Sequence, residues 1–527
     1  MKKILYFLFF GIMIFSATGC KKWLDVNRNP NGPDQVAANL YLAPMIHGLV
    51  VGEQNDGRYI GKYIQNWSST EDKDTWDVMG YAKPPSDLGG EMWRVTYFVL
   101  AQNLIDMIRI AEEEQRWDVL GVGYILKAIG FQKSTQINGE IIVKQAFEKG
   151  RVSFDYDKQE DVYLEVDRLL ELAIKNLERT DGLVSSTYLG KGDVVYKGSR
   201  ERWLKFAYGL RAVTLSHFSN KPALYKPDLI IEYIDKSFAN STDDALFPFE
   251  GGLSALANFW GQMRGNMNAF RQTKFIVGLL DGTEFGGVVD PRLSRMLQPS
   301  PSGIYKGLEP TFAATTILPA TDRPNSFFGT VGNPTVTSSG RYLFDDKAKI
   351  PLMTYSQLQF VKAEAAFRKG DKPMALDAYQ KAISAHLNFV NAANTTPAAV
   401  TATQISPAEI TAFMSNPNIV PTANNLTLSH IMSQKYIAQF AWAFLETWTD
   451  LRRYHYTDLD PNDATKQVFR GFQPPEVSRL FADNAGKWVY RIRPRYASEY
   501  VWNRDALNKI GGLEMDFHTS SPWIFKP

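Results

Sequence analysis

Residues 355–386, YSQLQFVKAEAAFRKGDKPMALDAYQKAISAH, decide the fold. Within them Gly370, Ala375, Tyr379 and Ala382 follow one another at the spacing of a tetratricopeptide helix pair. Small residues let the two helices approach closely, and the aromatic ring fills the angle between them. Such a pair cannot bury its apolar face alone, so other helices must stack on it. The segments 117–178 and 200–239 read as degenerate copies. In the helix expected at 159–179, Val162, Val166, Leu169, Leu170, Ala173 and Leu177 form one stripe.

Working outward, Leu42, Met45, Ile46 and Leu49 recur at helical spacing after Asn39. Further helices are expected at about 91–114, 117–135, 200–218, 228–239 and 428–448. The last carries Ile431, Ile437, Phe440, Ala441, Phe444, Leu445 and Trp448, and Arg452 and Arg453 read as charges that satisfy its final carbonyls. Between the helical halves, residues 241–350 turn rich in Gly, Pro, Ser, Thr and aromatics, with no long stripe. A long irregular insertion in a regular scaffold is usually functional. The expected fold is therefore mainly α. A tetratricopeptide-like scaffold at about 39–240 and 352–455 is interrupted by a loop-rich insertion at 241–350 and followed by an irregular region at 456–527.

The N-terminus says where this body is sent. Lys2 and Lys3 precede the apolar run Ile4–Phe15, and the small residues Ser16, Ala17, Thr18 and Gly19 lead into Cys20, the only cysteine. The run spans about 18 Å as a helix, short of the roughly 30 Å hydrocarbon layer, so residues 1–19 read as a signal peptide. A cysteine directly after small residues resembles a lipobox, although the usual Leu three positions earlier is Ala17. Processing would leave Cys20 as an acylated N-terminus carrying chains such as palmitate, followed by a turn-rich tether at 20–38. Lys21 rather than Asp after the cysteine favours the outer membrane.

Composition narrows the chemistry. A net charge of +2 gives no case for nucleic acid. Acylation of Cys20 leaves no thiol for a disulfide or a cysteine metal site. The histidines His47, His217, His386, His430, His455 and His518 show no ligand spacing, and no HExxH, GxSxG or Walker loop occurs, so no metal or cofactor is assigned. Asp25, Asn27 and Asn29 have calcium-loop spacing, but Pro30 and Val36 stand where Gly and Glu belong. Structural calcium held by loop carbonyls stays open, as does a carboxylate pair for glycoside hydrolysis. With 24 Tyr, 12 Trp and 32 Phe, the chain has rings to spare for stacking on sugars. Trp203, Trp442 and Trp448 sit in apolar stripes and read as core. Trp67, Trp76, Tyr81 and Trp260 have polar neighbours and are the candidate ligand contacts, with Asn66 and Asn258 beside two of them as amide donors.

Taken together, CKKWLDVNRNPN, RERWLKFAYGLRA, DPRL at 290–293, LMTYSQLQFVKAEAAFRKG, SQKYIAQFAWAFLETWTDLRRYHY and RIRPRYASEY resemble, in order, the SusD/RagB family of nutrient-binding outer-membrane lipoproteins. The resemblance implies a non-catalytic, surface-exposed lipoprotein. It would capture oligosaccharides and deliver them to a SusC-like TonB-dependent transporter, with the scaffold toward the transporter and the irregular regions toward the ligand. A peptide-binding member of the family, a surface glycan-degrading enzyme and a purely structural lipoprotein are the alternatives. Replacing Cys20 by Ser should abolish labelling by radioactive palmitate and move the protein out of the membrane fraction; labelling that persists contradicts the lipobox reading.

Overall fold

The helix pair expected at 355–386 is formed by Tyr355–Lys369 and Lys372–Ala393. Thr354 starts the first helix by accepting a hydrogen bond from the Gln357 N–H, and Gly370 ends it at φ +90°. Asp371 caps the second by accepting from Met374 N–H. Ala363, Ala366, Ala375, Ala378 and Ala382 are fully buried where the pair packs. Tyr379 lies edge-on to Phe360 with ring centroids 6.2 Å apart, and its hydroxyl donates to the Ile419 carbonyl at 2.8 Å.

A computed structural model describes residues 36–83, 86, 88–252, 256–329, 340–394 and 404–527. Cys20, the residues 1–19 expected as a signal peptide, and the Asp25, Asn27, Asn29 triplet lie outside the described residues. Numbered in chain order, the scaffold helices are α1 (Leu42–Tyr63), α2 (Ala101–Glu113), α3 (Trp117–Asn138), α4 (Gln159–Glu178), α5 (Arg200–Ser216), α6 (Pro227–Asp235), α7 (Tyr355–Lys369), α8 (Lys372–Ala393), α9 (Leu428–Gln439) and α10 (Phe444–Arg453). From α2 to α8 each helix packs on the next, as stacked repeats require. The contact of α6 with α7 bridges the insertion. Finally α9 packs on α7, and α10 on α1. The fold is mainly α, a tetratricopeptide-like scaffold with a loop-rich insertion.

Short strands fasten the insertion. Strand β2 (Ala245–Phe247) pairs antiparallel with β4 (Ile350–Met353), which joins the insertion's two ends. Strand β1 (Trp67–Ser69) pairs with β3 (Phe270–Gln272), which ties its middle to the segment after α1. No helix of the described residues is long and apolar enough to cross a membrane.

Two expected helices differ in detail. The 91–114 stretch contains a π-helical segment, Val95–Leu100, between Glu91–Arg94 and α2. There Thr96 Oγ donates to the Gly130 carbonyl at 3.0 Å, tying the wide turn to α3. The 428–448 helix is broken into α9 and α10, because Ala441 adopts φ +67° and its N–H is taken by the Asn66 side chain at 2.9 Å.

Arg452 and Arg453 do more than end α10, for both are fully buried. Arg452 Nε donates to the Trp448 carbonyl at 3.1 Å and its guanidinium lies 3.7 Å from the Trp448 ring centroid. Arg453 is bidentate to Glu364 of α7 at 2.7 and 3.0 Å and also pairs with Asp450, which meets Lys435 of α9 at 2.8 Å. Burial alone would push the Glu364 carboxyl up, but the Arg453 guanidinium overrides it and holds the group well below the usual carboxylate range. Arg453→Met removes the bidentate partner of the buried Glu364 and one of the two cations on Asp450, and should cost about 3–5 kcal/mol in urea unfolding, whereas Arg453→Met with Glu364→Met should cost less than the single change. A double variant less stable than the single one contradicts this account.

Candidate ligand-binding site

The residues expected to touch ligand are mostly inside the protein. Trp67 and Trp260 are fully buried and meet edge to face with centroids 5.4 Å apart. Around them stand Phe327, Phe344 and Phe444, 5.2–6.4 Å from the Trp67 ring. Trp76 is 6% exposed and packs on Tyr59 and Tyr63 at 4.7 and 5.5 Å. Asn66 donates to the Tyr436 hydroxyl at 2.8 Å while holding the Ala441 N–H. Asn258 donates to the Leu343 and Asp345 carbonyls and accepts from Gln54 at 2.8 Å. These five serve the core in place of the surface expected for them. Tyr81 alone is partly exposed: its hydroxyl donates to Asp483 at 2.9 Å, and burial, then that hydrogen bond, pushes it up to about 12.

The polar neighbours that suggested a surface loop are themselves satisfied internally. Ser68 and Ser69 are buried, and Asp77 accepts from the Ser68 hydroxyl at 3.1 Å and the Ser69 N–H at 2.8 Å. Polarity near a ring marks hydrogen-bonded core here, since buried polar groups are tolerated when paired.

A cavity of about 540 Å³ lies instead between the insertion and the C-terminal region. Strand β3 positions it. Thr273, just after β3, caps the short helix Lys274–Leu280, and its hydroxyl donates to the Gln65 carbonyl. Lys274 N–H donates to the Leu308 carbonyl and Leu308 N–H to that of Gln272, at 2.8 and 2.9 Å, fixing the 305–312 loop. Gln272 Nε2 donates to the carbonyls of Gln298 and Lys306, both at 2.9 Å. On the far wall Gln65 reaches the Gln473 carbonyl.

The lining mixes rings and charge. Phe275, Tyr305 and Phe312 supply apolar area; Lys274, Lys306 and Arg479 supply cations, and Asp281, Glu284, Glu309 and Glu476 supply carboxylates. Lys274 and Glu309 stand 4.0 Å apart with side chains 78% and 53% exposed, so both are accessible. Tyr305 also lines a second cavity of about 500 Å³ formed with Val288–Arg295 and the helix Pro407–Met414. An apolar concavity with a few placed polar groups is the usual form of a small-ligand site. None of these residues stood out in the sequence beyond lying in the irregular regions. Among the described residues no group of His, Cys, Asp and Glu side chains is placed to hold a metal ion.

Trp67→Ala and Trp260→Ala should each lower unfolding stability by about 3–5 kcal/mol, read in urea, through loss of core contacts. A variant of normal stability that has lost ligand binding contradicts the core assignment.

Comparison with known proteins places this architecture. The SusD-like family model described as starch-binding, associating with the outer membrane, matches residues 30–471. A SusD/RagB family protein from Bacteroides thetaiotaomicron shares 20% identity at a TM-score of 0.68, over 93% of this chain and 99% of its own. A SusD homolog from Bacteroides fragilis gives 17% identity and a TM-score of 0.72, over 93% and 100%. A chitin-binding SusD homolog from Flavobacterium johnsoniae gives 20% and 0.63, over 93% and 98%. No curated protein matches the chain. The family match spans most of the chain and the scaffold geometry agrees with it: the chain belongs to the SusD-like family.

Proposed function

We propose that this protein is a surface glycan-binding lipoprotein that captures oligosaccharides in the cavity between its insertion and its C-terminal region. It would hand them to a TonB-dependent transporter in the outer membrane, to which Cys20 anchors it. The observation that carries this reading is the 540 Å³ cavity, whose rings can stack on sugar faces while flanking charged groups orient hydroxyls. The family's description as starch-binding and associating with the outer membrane, and the chitin binding of one structural neighbour, support the ligand class.

Capture without turnover suits this arrangement. Stacked helical repeats commonly present binding surfaces, although the fold alone does not assign function. A peptide ligand is the second reading, favoured by the carboxylates and cations that share the cavity wall.

The soluble form beginning after Cys20 can be screened by calorimetry against chito-oligosaccharides, malto-oligosaccharides and mixed-charge peptides. Glycan binding should appear without release of shorter products, and Phe312→Ala should weaken it about five- to tenfold at unchanged melting temperature, the magnitude of one lost stacking contact. Binding unaffected by Phe312→Ala, or hydrolysis of the glycan, contradicts the proposal. Binding of peptides alone moves the assignment to the second reading.

A further inference from the structure

One residue on the cavity wall joins three stretches that are remote in sequence. Arg479 Nε donates to the Thr311 hydroxyl at 2.9 Å, and its Nη2 donates to the Thr311 carbonyl and pairs with the Asp72 carboxylate. Its guanidinium also lies over the Phe312 ring, 4.0 Å from the centroid. The same Thr311 carbonyl accepts the Lys73 N–H at 3.1 Å. A single guanidinium therefore ties the 72–73 segment, the 311–312 step and the turn at 476–481 together.

The backbone at that junction is strained. Thr311 sits at φ +76° and is buried, and Lys73 sits at φ +51°. A β-branched residue in the left-handed region is an outlier, because its Cβ substituents crowd the backbone, and it persists only where its surroundings over-determine it. The groups that fix Thr311 are the Arg479 fork, which engages both its carbonyl and its hydroxyl, and the Lys73 N–H. A fork of this kind is specific to arginine; a lysine ammonium has no planar pair of donors. The residue so held is followed directly by Phe312, whose ring lines the cavity.

We propose that Arg479 is the positioning residue of the ligand cavity: it holds Thr311 in its strained conformation and thereby sets where the Phe312 ring stands. The consequence for affinity rests on the function proposed above, whereas the consequence for loop order does not. Asp72, with its side chain 54% exposed, completes the ion pair from the solvent side and keeps the guanidinium aimed at the loop. Arg479 acts through Thr311 and Phe312 and needs no contact of its own with the sugar.

The test compares Arg479→Ala, Arg479→Lys and Arg479→Ala with Thr311→Gly, using hydrogen exchange over 70–74 and 309–314 and calorimetry with chitohexaose and maltoheptaose. Arg479→Ala should speed exchange of the Lys73 amide about tenfold or more, leave the amides of α7 and α8 unchanged, and shift the melting temperature by less than about 3 °C. Affinity for the glycan that binds should fall about tenfold, with Arg479→Lys intermediate in both readouts. Adding Thr311→Gly should restore part of the loop protection and of the affinity, because glycine adopts this φ without strain. Unchanged exchange in 70–74 and 309–314, or full affinity despite a loosened loop, overturns the proposal. So does a loss of melting temperature large enough to account for the loss of affinity. Binding of neither glycan by the parent protein contradicts the functional reading instead, and exchange alone then decides whether Arg479 holds the loop.

Discussion

Trp67 and Trp260 meet inside the protein, and most of the architecture follows from that contact. Trp67 lies in β1 just after α1, Trp260 in the insertion, and Phe444, 5.2 and 5.7 Å from the two rings, opens α10. Three chain segments that the sequence keeps far apart share one apolar cluster. The helix beside it is shaped for the purpose. A Cβ on Gly61 of α1 would stand 2.4 Å from the Trp67 indole, and one on Gly57 equally close to the Phe444 ring, so only glycine admits the rings there. Aromatic pairs in edge-to-face contact add to their burial energy, which makes this a strong weld between scaffold and insertion.

From that weld the cavity follows. β1 leaves the cluster and pairs with β3, and β3 runs directly into Thr273 and the helix that floors the cavity. The scaffold contributes rigidity through its own polar centre, where Glu364, Arg453, Asp450 and Lys435 join α7, α9 and α10. Buried ion pairs of this kind add little net stability against an apolar core, but unpairing one is costly, so they fix which helix faces meet. The cavity loops are thus irregular in backbone yet fastened to regular elements, as sites on loops commonly are.

The scaffold was legible in the residues because periodicity reports directly on burial. The step from Gly370 through Tyr379 to Ala382 predicts a close-packed pair, and Tyr379 is fully buried in it. Break points were not legible. The interruption between α9 and α10 depends on Asn66, which lies far away in sequence and takes the Ala441 N–H. The site was least legible. The polar neighbours Asn66, Ser68 and Asn258 make Trp67, Trp76 and Trp260 candidate ligand contacts in the sequence, yet those groups spend their hydrogen bonds inside the fold. Tertiary pairing of polar atoms leaves no periodic trace, and neither does a cavity assembled from 274–284, 305–318 and 471–479.

The account therefore turns on where a glycan sits relative to the aromatic weld. A crystal structure of the soluble form soaked with chitohexaose or maltoheptaose measures this directly. The account predicts sugar density against Phe312 and Tyr305 between the insertion and the C-terminal region, with Trp67 and Trp260 still enclosed. Sugar stacked on Trp67 or Trp260 after the cluster has opened, or bound only along the scaffold helices, would contradict it.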